Sequence, residues 1–160
     1  MGHLIELIGA CGLYCGACVH FRASFPEGKH LLEKAIQNGW EKEGYICKGC
    51  RSGVHYTHRG CSQCTIRKCT DEIDIAHCGL CPNFPCGILK RFQYDGHAHH
   101  LDIMLNLNEL KRKGEVAWLK EQGKRWTCRC GEPFSWYEEE CRVCGTILDA
   151  YGPFPKKNKK

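Results

Sequence analysis

Long hydrophobic runs are missing from this 160-residue chain. No segment approaches the ~20 apolar residues of a membrane-spanning helix. A basic leader is missing too: Glu6 interrupts the apolar stretch before a signal-peptide core could form, and it stands where a myristoylation motif needs Ser or Thr. A cytoplasmic protein with no membrane attachment is the expectation. Large aliphatic residues are sparse before residue 87, and no long alternation of the β type appears. No Ser-His-Asp set, carboxylate pair or phosphate loop is visible, so catalysis is not the expected role.

What the chain has in excess is cysteine, 15 residues in all. Such density means either disulfide staples in a secreted protein or thiolate metal sites in an intracellular one. The spacing favours metal. Cys47/Cys50, Cys61/Cys64, Cys78/Cys81 and Cys141/Cys144 are all C-x2-C pairs, which present two thiolates to one ion and do not readily bond to each other. The formal charge of +5 and the run Lys156, Lys157, Lys159, Lys160 invite a nucleic-acid reading. Ligand thiolates weaken it, because a Zn2+ ion held by four of them keeps two net negative charges, and three such sites would bring the chain to about −1.

The expected fold class is a small α-rich, metal-stabilised, cysteine-rich domain followed by helices and a zinc ribbon. Cysteine distribution divides the chain into a metal-binding domain over 1–96, a helical connector over 97–125, a ribbon over 126–150 and a basic disordered tail over 151–160. Periodicity predicts an amphipathic helix from Glu27 to Glu43 with Leu32, Ile36 and Trp40 on one face and Leu31 and Ala35 beside them. A short helix is expected from Gly87, ended by Gly96. Ile103, Leu107 and Leu110 share the face of a helix that Gly114 stops, and Val116 and Leu119 pattern a following one capped by Gly123. Short hairpins are expected around the metals. So little apolar surface in the first zone cannot offset chain entropy, whereas structural zinc supplies about 10–16 kcal/mol in small peptides.

The clearest site is Cys128, Cys130, Cys141 and Cys144, each pair followed by a glycine, Gly131 or Gly145, that eases the tight turn of a zinc knuckle. The first pair is C-x-C instead of the usual C-x2-C. Trp126, Phe134, Trp136 and Tyr137 are expected to cover a small core there. Cys11, Cys15 and Cys18 follow C-x3-C-x2-C, the spacing by which radical S-adenosylmethionine enzymes hold three corners of an iron–sulfur cluster. The chain is too short for their barrel, and Ala17 stands where they usually carry an aromatic. Three ligands of one site is the preferred reading, with Cys86 a candidate fourth. Cys47, Cys50, Cys61, Cys64, Cys69, Cys78 and Cys81 remain, and their pairing is open. Eleven first-zone cysteines are one short of three four-cysteine sites, so His77, His55 or His58 is a candidate to complete the set. His97, His99 and His100 form a potential transition-metal patch for which a solvated helix start is the preferred reading. Zinc is the expected metal of the ribbon; zinc or a [4Fe-4S] cluster is expected in the first zone, with zinc preferred.

Taken together, these motifs resemble a family of small cysteine-rich bacterial and archaeal proteins catalogued as a domain of unknown function, DUF3795, in a long form with a C-terminal ribbon. The resemblance runs from about Cys11 to Gly145. It is carried by Cys11-Gly-Leu-Tyr-Cys15-Gly-Ala-Cys18, Cys47-Lys-Gly-Cys50, Cys64-Thr-Ile-Arg-Lys-Cys69 and His77-Cys78-Gly-Leu-Cys81-Pro-Asn-Phe-Pro-Cys86. It implies metal binding and brings no reaction with it; the C-x-C pair at Cys128 and Cys130 departs from the C-x2-C expected there. Three functions follow as expectations: a multi-zinc binding or adaptor module with a protein partner; an iron–sulfur protein in electron transfer or as an accessory to a redox enzyme; and a nucleic-acid-binding zinc protein, the least favoured.

Overall fold

The computed structural model describes residues 6–42, 47–52 and 59–157. It is helix-rich: α1 (Val19–Ala23), α2 (Lys29–Gln37), α3 (Arg59–Ser62), α4 (Thr65–Glu72), α5 (Gly87–Gln93), α6 (Ile103–Lys113) and α7 (Glu115–Arg125), joined by 3-10 turns at Cys15–Ala17, Pro26–Gly28, Cys78–Leu80 and Ala98–His100. Among the described residues there are no strands, only isolated antiparallel bridges, two of which pinch the ribbon at Thr127/Pro133 and Glu140/Ile147. His55 and His58 lie outside the described residues.

α6 and α7 are the scaffold of the molecule. Ile103, Leu107 and Leu110 are all buried, as their spacing predicts. They pack with Trp118 and Leu119 of α7 against Ile8, Ala10, Ile66, Cys78 and Leu89, so the stretch read as a connector is the main core on which the cysteine-bearing turns rest. Gly114, at φ +80°, ends α6, and α7 begins immediately with Glu115 in its first turn and closes on Lys124 and Arg125, signs that suit the helix dipole. α7 departs from its sequence pattern. Val116 is 74% exposed and Trp118 takes the inward place. The helix also runs through Gly123 instead of stopping there, because Trp126 N–H still bonds the Gln122 carbonyl and the Thr127 hydroxyl the Gly123 carbonyl.

A second core holds Val19, Ala23, Leu31, Ala35 and Phe154. Here α2 is shorter than Glu27 to Glu43, and its buried residues are Leu31 and Ala35, while Ile36 is 47% exposed. The small Ala23 and Ala35 let α1 and α2 approach closely. At their junction a Cβ on Gly28 would stand 1.9 Å from the Arg22 carbonyl oxygen, so only glycine fits. Phe154 belongs to the stretch read as a tail. It is docked because Trp40 Nε1–H bonds the Pro155 carbonyl and Lys157 N–H the Asn38 carbonyl, with Lys157 paired to Glu41.

The third core, Ala17, Trp126, Phe134 and Trp136, is the small aromatic cover expected of the ribbon. It also joins the ribbon to the first zone, since Trp136 N–H bonds the Ala17 carbonyl. Arg22 donates to Glu138 at 2.9 Å and to the Pro133 carbonyl, while Glu138 accepts from Ser135 N–H and meets His30 Nε2 at 2.8 Å.

Candidate metal centre

In the ribbon, the bridge at Thr127/Pro133 makes Cys128 N–H bond the Glu132 carbonyl and turns Cys130 back toward Cys128. The Glu140/Ile147 bridge does the same for Cys141 and Cys144, with Cys141 N–H on the Thr146 carbonyl. Gly131 and Gly145 take φ of +92° and +69°, the left-handed turns that fold each knuckle. The four sulfurs of Cys128, Cys130, Cys141 and Cys144 consequently lie within 4.8 Å of one another, close enough to hold one metal ion. Cys128 and Cys144 stand 3.5 Å apart and Cys130 and Cys141 3.6 Å. The C-x-C pair converges as a C-x2-C pair would.

The electrostatics prepare these sulfurs unequally. The Thr146 hydroxyl and amide pull the Cys144 thiol down to about 6, which favours its thiolate form. At Cys130 the Glu132 amide works in the same direction, but burial and the three neighbouring sulfurs outweigh it and raise the thiol to about 12. A divalent cation relieves that conflict by taking the proton's place.

The first-zone cysteines fall into two neighbourhoods. Burial pushes Cys11 and Cys15 well above the ordinary thiol range, and the thiols of Cys50, Cys64 and Cys61 add to it for Cys11, those of Cys18, Cys50 and Cys61 for Cys15. Cys61, raised first by burial, has Cys18, Cys50, Cys47 and Cys64 around it. Seven thiols thus form one electrostatically linked group, here called the basin, in which Cys61 influences or is influenced by each of the others. Amides aim at sulfur here too: Gly49 N–H lies 3.5 Å from Cys47 Sγ, and the Leu13 amide bonds Cys11 Sγ. Burial raises the Cys50 thiol overall, with the Ala10 backbone, Arg51 and Arg67 opposing it, and Arg67 Nη1 is buried with no hydrogen-bond partner. Arg67 Nε pairs with Asp71 at 3.7 Å, so it is the Nη1 edge of the guanidinium that is buried and unanswered, and a positive edge beside these thiols fits an anionic thiolate cluster.

The second neighbourhood is centred on Cys78, raised to about 12 first by burial and then by Cys86, Cys69, Cys81 and Cys64. Cys86 is therefore placed beside Cys78. In neither neighbourhood do three sulfurs draw as close together as the ribbon's four. His77, the candidate beside Cys78, is buried and turned toward Glu115, with Nε2 3.6 Å from its carboxylate.

The histidine patch differs from a solvated helix start. His99 is stacked on Trp136 with ring centroids 4.3 Å apart and bonded to the Tyr137 hydroxyl at 2.6 Å; burial and the neighbouring His100 and His97 push its pKa down to about 2. His100 is buried against Phe92, and Asp95, a residue the sequence reading passed over, joins His97 and His100 with ligand atoms within 4.8 Å of one another. The spacing Asp-x-His-x-x-His was the signal available for it.

No helix among the described residues is long and apolar enough to cross a membrane. No curated protein and no solved structure matches the chain. A family model does, over residues 7–91, more than half of the sequence and all eleven first-zone cysteines. The chain belongs to the family described as "Protein of unknown function (DUF3795)", extended here by two core helices and a four-cysteine ribbon.

Proposed function

We propose that this is a multi-zinc protein that works as a binding or adaptor module for another protein. The observation that carries the reading is the convergence of Cys128, Cys130, Cys141 and Cys144 on one point. Four thiolates saturate a tetrahedral zinc ion and leave no position for substrate, which makes the site structural. The ribbon so fixed presents Val143 and Ile147, 60% and 78% exposed, as the apolar side chains that a partner would cover.

In the first zone, Cys69, Cys78, Cys81 and Cys86 are a second four-thiolate set. The basin of seven suits two ions if Cys61 bridges them, a stoichiometry that removes the need for a histidine ligand. The expected content is about four zinc ions per chain. A second reading rests on the C-x3-C-x2-C spacing of Cys11, Cys15 and Cys18, under which the basin carries a [4Fe-4S] cluster and serves electron transfer. Elemental analysis and visible spectra of anaerobically purified protein separate them. Colourless protein with about four zinc ions supports the first reading; a brown, iron- and sulfide-containing protein replaces it with the second; and neither metal at stoichiometric levels overturns both.

A further inference from the structure

The segment Asp95–His100 lies beyond the family match and outside every cysteine group, and its chemistry is nitrogen and oxygen, not sulfur. We infer that Asp95, His97 and His100 form a separate site for a divalent transition-metal ion of the zinc, nickel, copper or cobalt kind, with coordination positions open to solvent.

Local geometry brings the three together. Gly96, at φ +99° and with open space around it, reverses the chain between Asp95 and His97, a turn closed by His97 N–H on Asp95 Oδ1 at 3.2 Å. The 3-10 turn Ala98–His100 then sets His100 three residues after His97, the spacing at which side chains of such a turn fall in line. His97 Nδ1 and His100 Nδ1 approach the same carboxylate oxygen, at 2.9 and 2.8 Å. All three ligand atoms thus point inward at one spot.

Several features go beyond a chance surface contact. His100 is held in place: its ring is buried, stacked on Phe92 with centroids 3.8 Å apart, and faces the Phe92 backbone carbonyl. A backbone carbonyl beside the ring is a usual support of a metal-bound histidine, because it fixes the orientation of the imidazole. Asp95 is anionic and ready. Burial works to raise its pKa, but hydrogen bonds from His97 and His100 outweigh it and hold the carboxyl below its usual value. His97 is 61% exposed, so it forms the solvent-side edge of the site and leaves the outer face open. Two imidazoles and a carboxylate suit borderline divalent ions and leave positions for water or an exogenous ligand, unlike the closed sulfur sites. His99, stacked on Trp136, fastens this turn to the ribbon and is not a ligand.

The test is a titration of zinc-loaded protein with Co2+ and then with Ni2+, comparing wild type with His97→Ala and Asp95→Asn. His97 is exposed enough for its removal to leave the fold intact, which circular dichroism would verify. Loss of an outer-shell partner alone weakens metal binding by about 10–100-fold, so loss of a ligand should weaken it at least as much. The expected result is one additional ion per chain in wild type, with a Co2+ spectrum lacking thiolate charge-transfer bands, and an affinity at least about tenfold weaker in both variants. Equal stoichiometry and affinity in all three proteins would overturn the inference, as would a thiolate spectrum for the added ion. The result is independent of the zinc reading: cysteine sites without zinc would leave the sulfur-free ion in place.

Discussion

Replacing Glu138 with Ala should uncouple the ribbon from the first zone, and its effect can be worked out contact by contact. Glu138 is nearly buried, with 9% of its side chain exposed, and accepts from Arg22 Nη1 at 2.9 Å, from Ser135 N–H at 2.6 Å and, depending on tautomer, from His30 Nε2. Its loss leaves the amide of fully buried Ser135 without an acceptor, a penalty of about 1–3 kcal/mol. It also leaves the Arg22 guanidinium, 10% exposed, with only the Pro133 carbonyl at 2.9 Å. Breaking a buried ion pair by removing one partner costs about 3–5 kcal/mol, and the surviving carbonyl contact places this case toward the lower end. Glu138→Gln keeps the shape and one acceptor and should lose less. Urea unfolding of zinc-loaded protein, followed by tryptophan fluorescence, measures the cost. A double-mutant cycle with Arg22→Ala isolates the pair, with a coupling of about 1–3 kcal/mol expected. A Glu138→Ala protein within about 0.5 kcal/mol of wild type, or strict additivity with Arg22→Ala, would refute the reasoning and mean that the ribbon rides loosely on the helices.

Removing metal with a strong chelator should abolish most of the helical circular dichroism of the first zone, since bound zinc contributes about 10–16 kcal/mol per site in small peptides; an unchanged spectrum in metal-free protein would sink the idea. Cys128→Ser should lower the zinc content by one ion and leave the first-zone ions bound, which elemental analysis after gel filtration would show. Leu107→Ala, at a fully buried position, should cost about 2–5 kcal/mol in urea unfolding. A Cβ on Gly12, at φ +85°, would stand 2.7 Å from Leu107 Cγ, so Gly12→Ala should cost about 1–3 kcal/mol by overpacking and about 1–2 more from its left-handed backbone. Leu107→Ala relieves only the overpacking, and the double variant should therefore lose less than the sum of the single ones.

The α6 face was legible because Ile103, Leu107 and Leu110 repeat at helical spacing and one core takes them all. In α2 the pattern was ambiguous, since Leu31 and Ala35 run parallel to Leu32 and Ile36 one residue on. The choice fell to tertiary packing, which seats Leu31 and Ala35 with Val19, Ala23 and Phe154 and leaves Ile36 47% exposed. Val116 misled for a similar reason: the large ring of Trp118 gains more from burial than a valine. The sequence grouped His97, His99 and His100 and favoured a solvated helix start, whereas His99 is drawn onto Trp136 and Tyr137, about forty residues away, and Asp95 meets His97 and His100 across the local turn at Gly96.

By itself the sequence determined that sulfur chemistry dominates this protein and that four cysteines near the C-terminus share one site, because knuckle spacing and the following glycines are local properties of the chain. Which first-zone thiols influence one another, that Cys86 stands by Cys78, and that His99 is drawn onto the ribbon were decided only by the tertiary structure. Those meetings depend on how distant turns are seated on α6 and α7, and sequence spacing carries no information about contacts that packing creates.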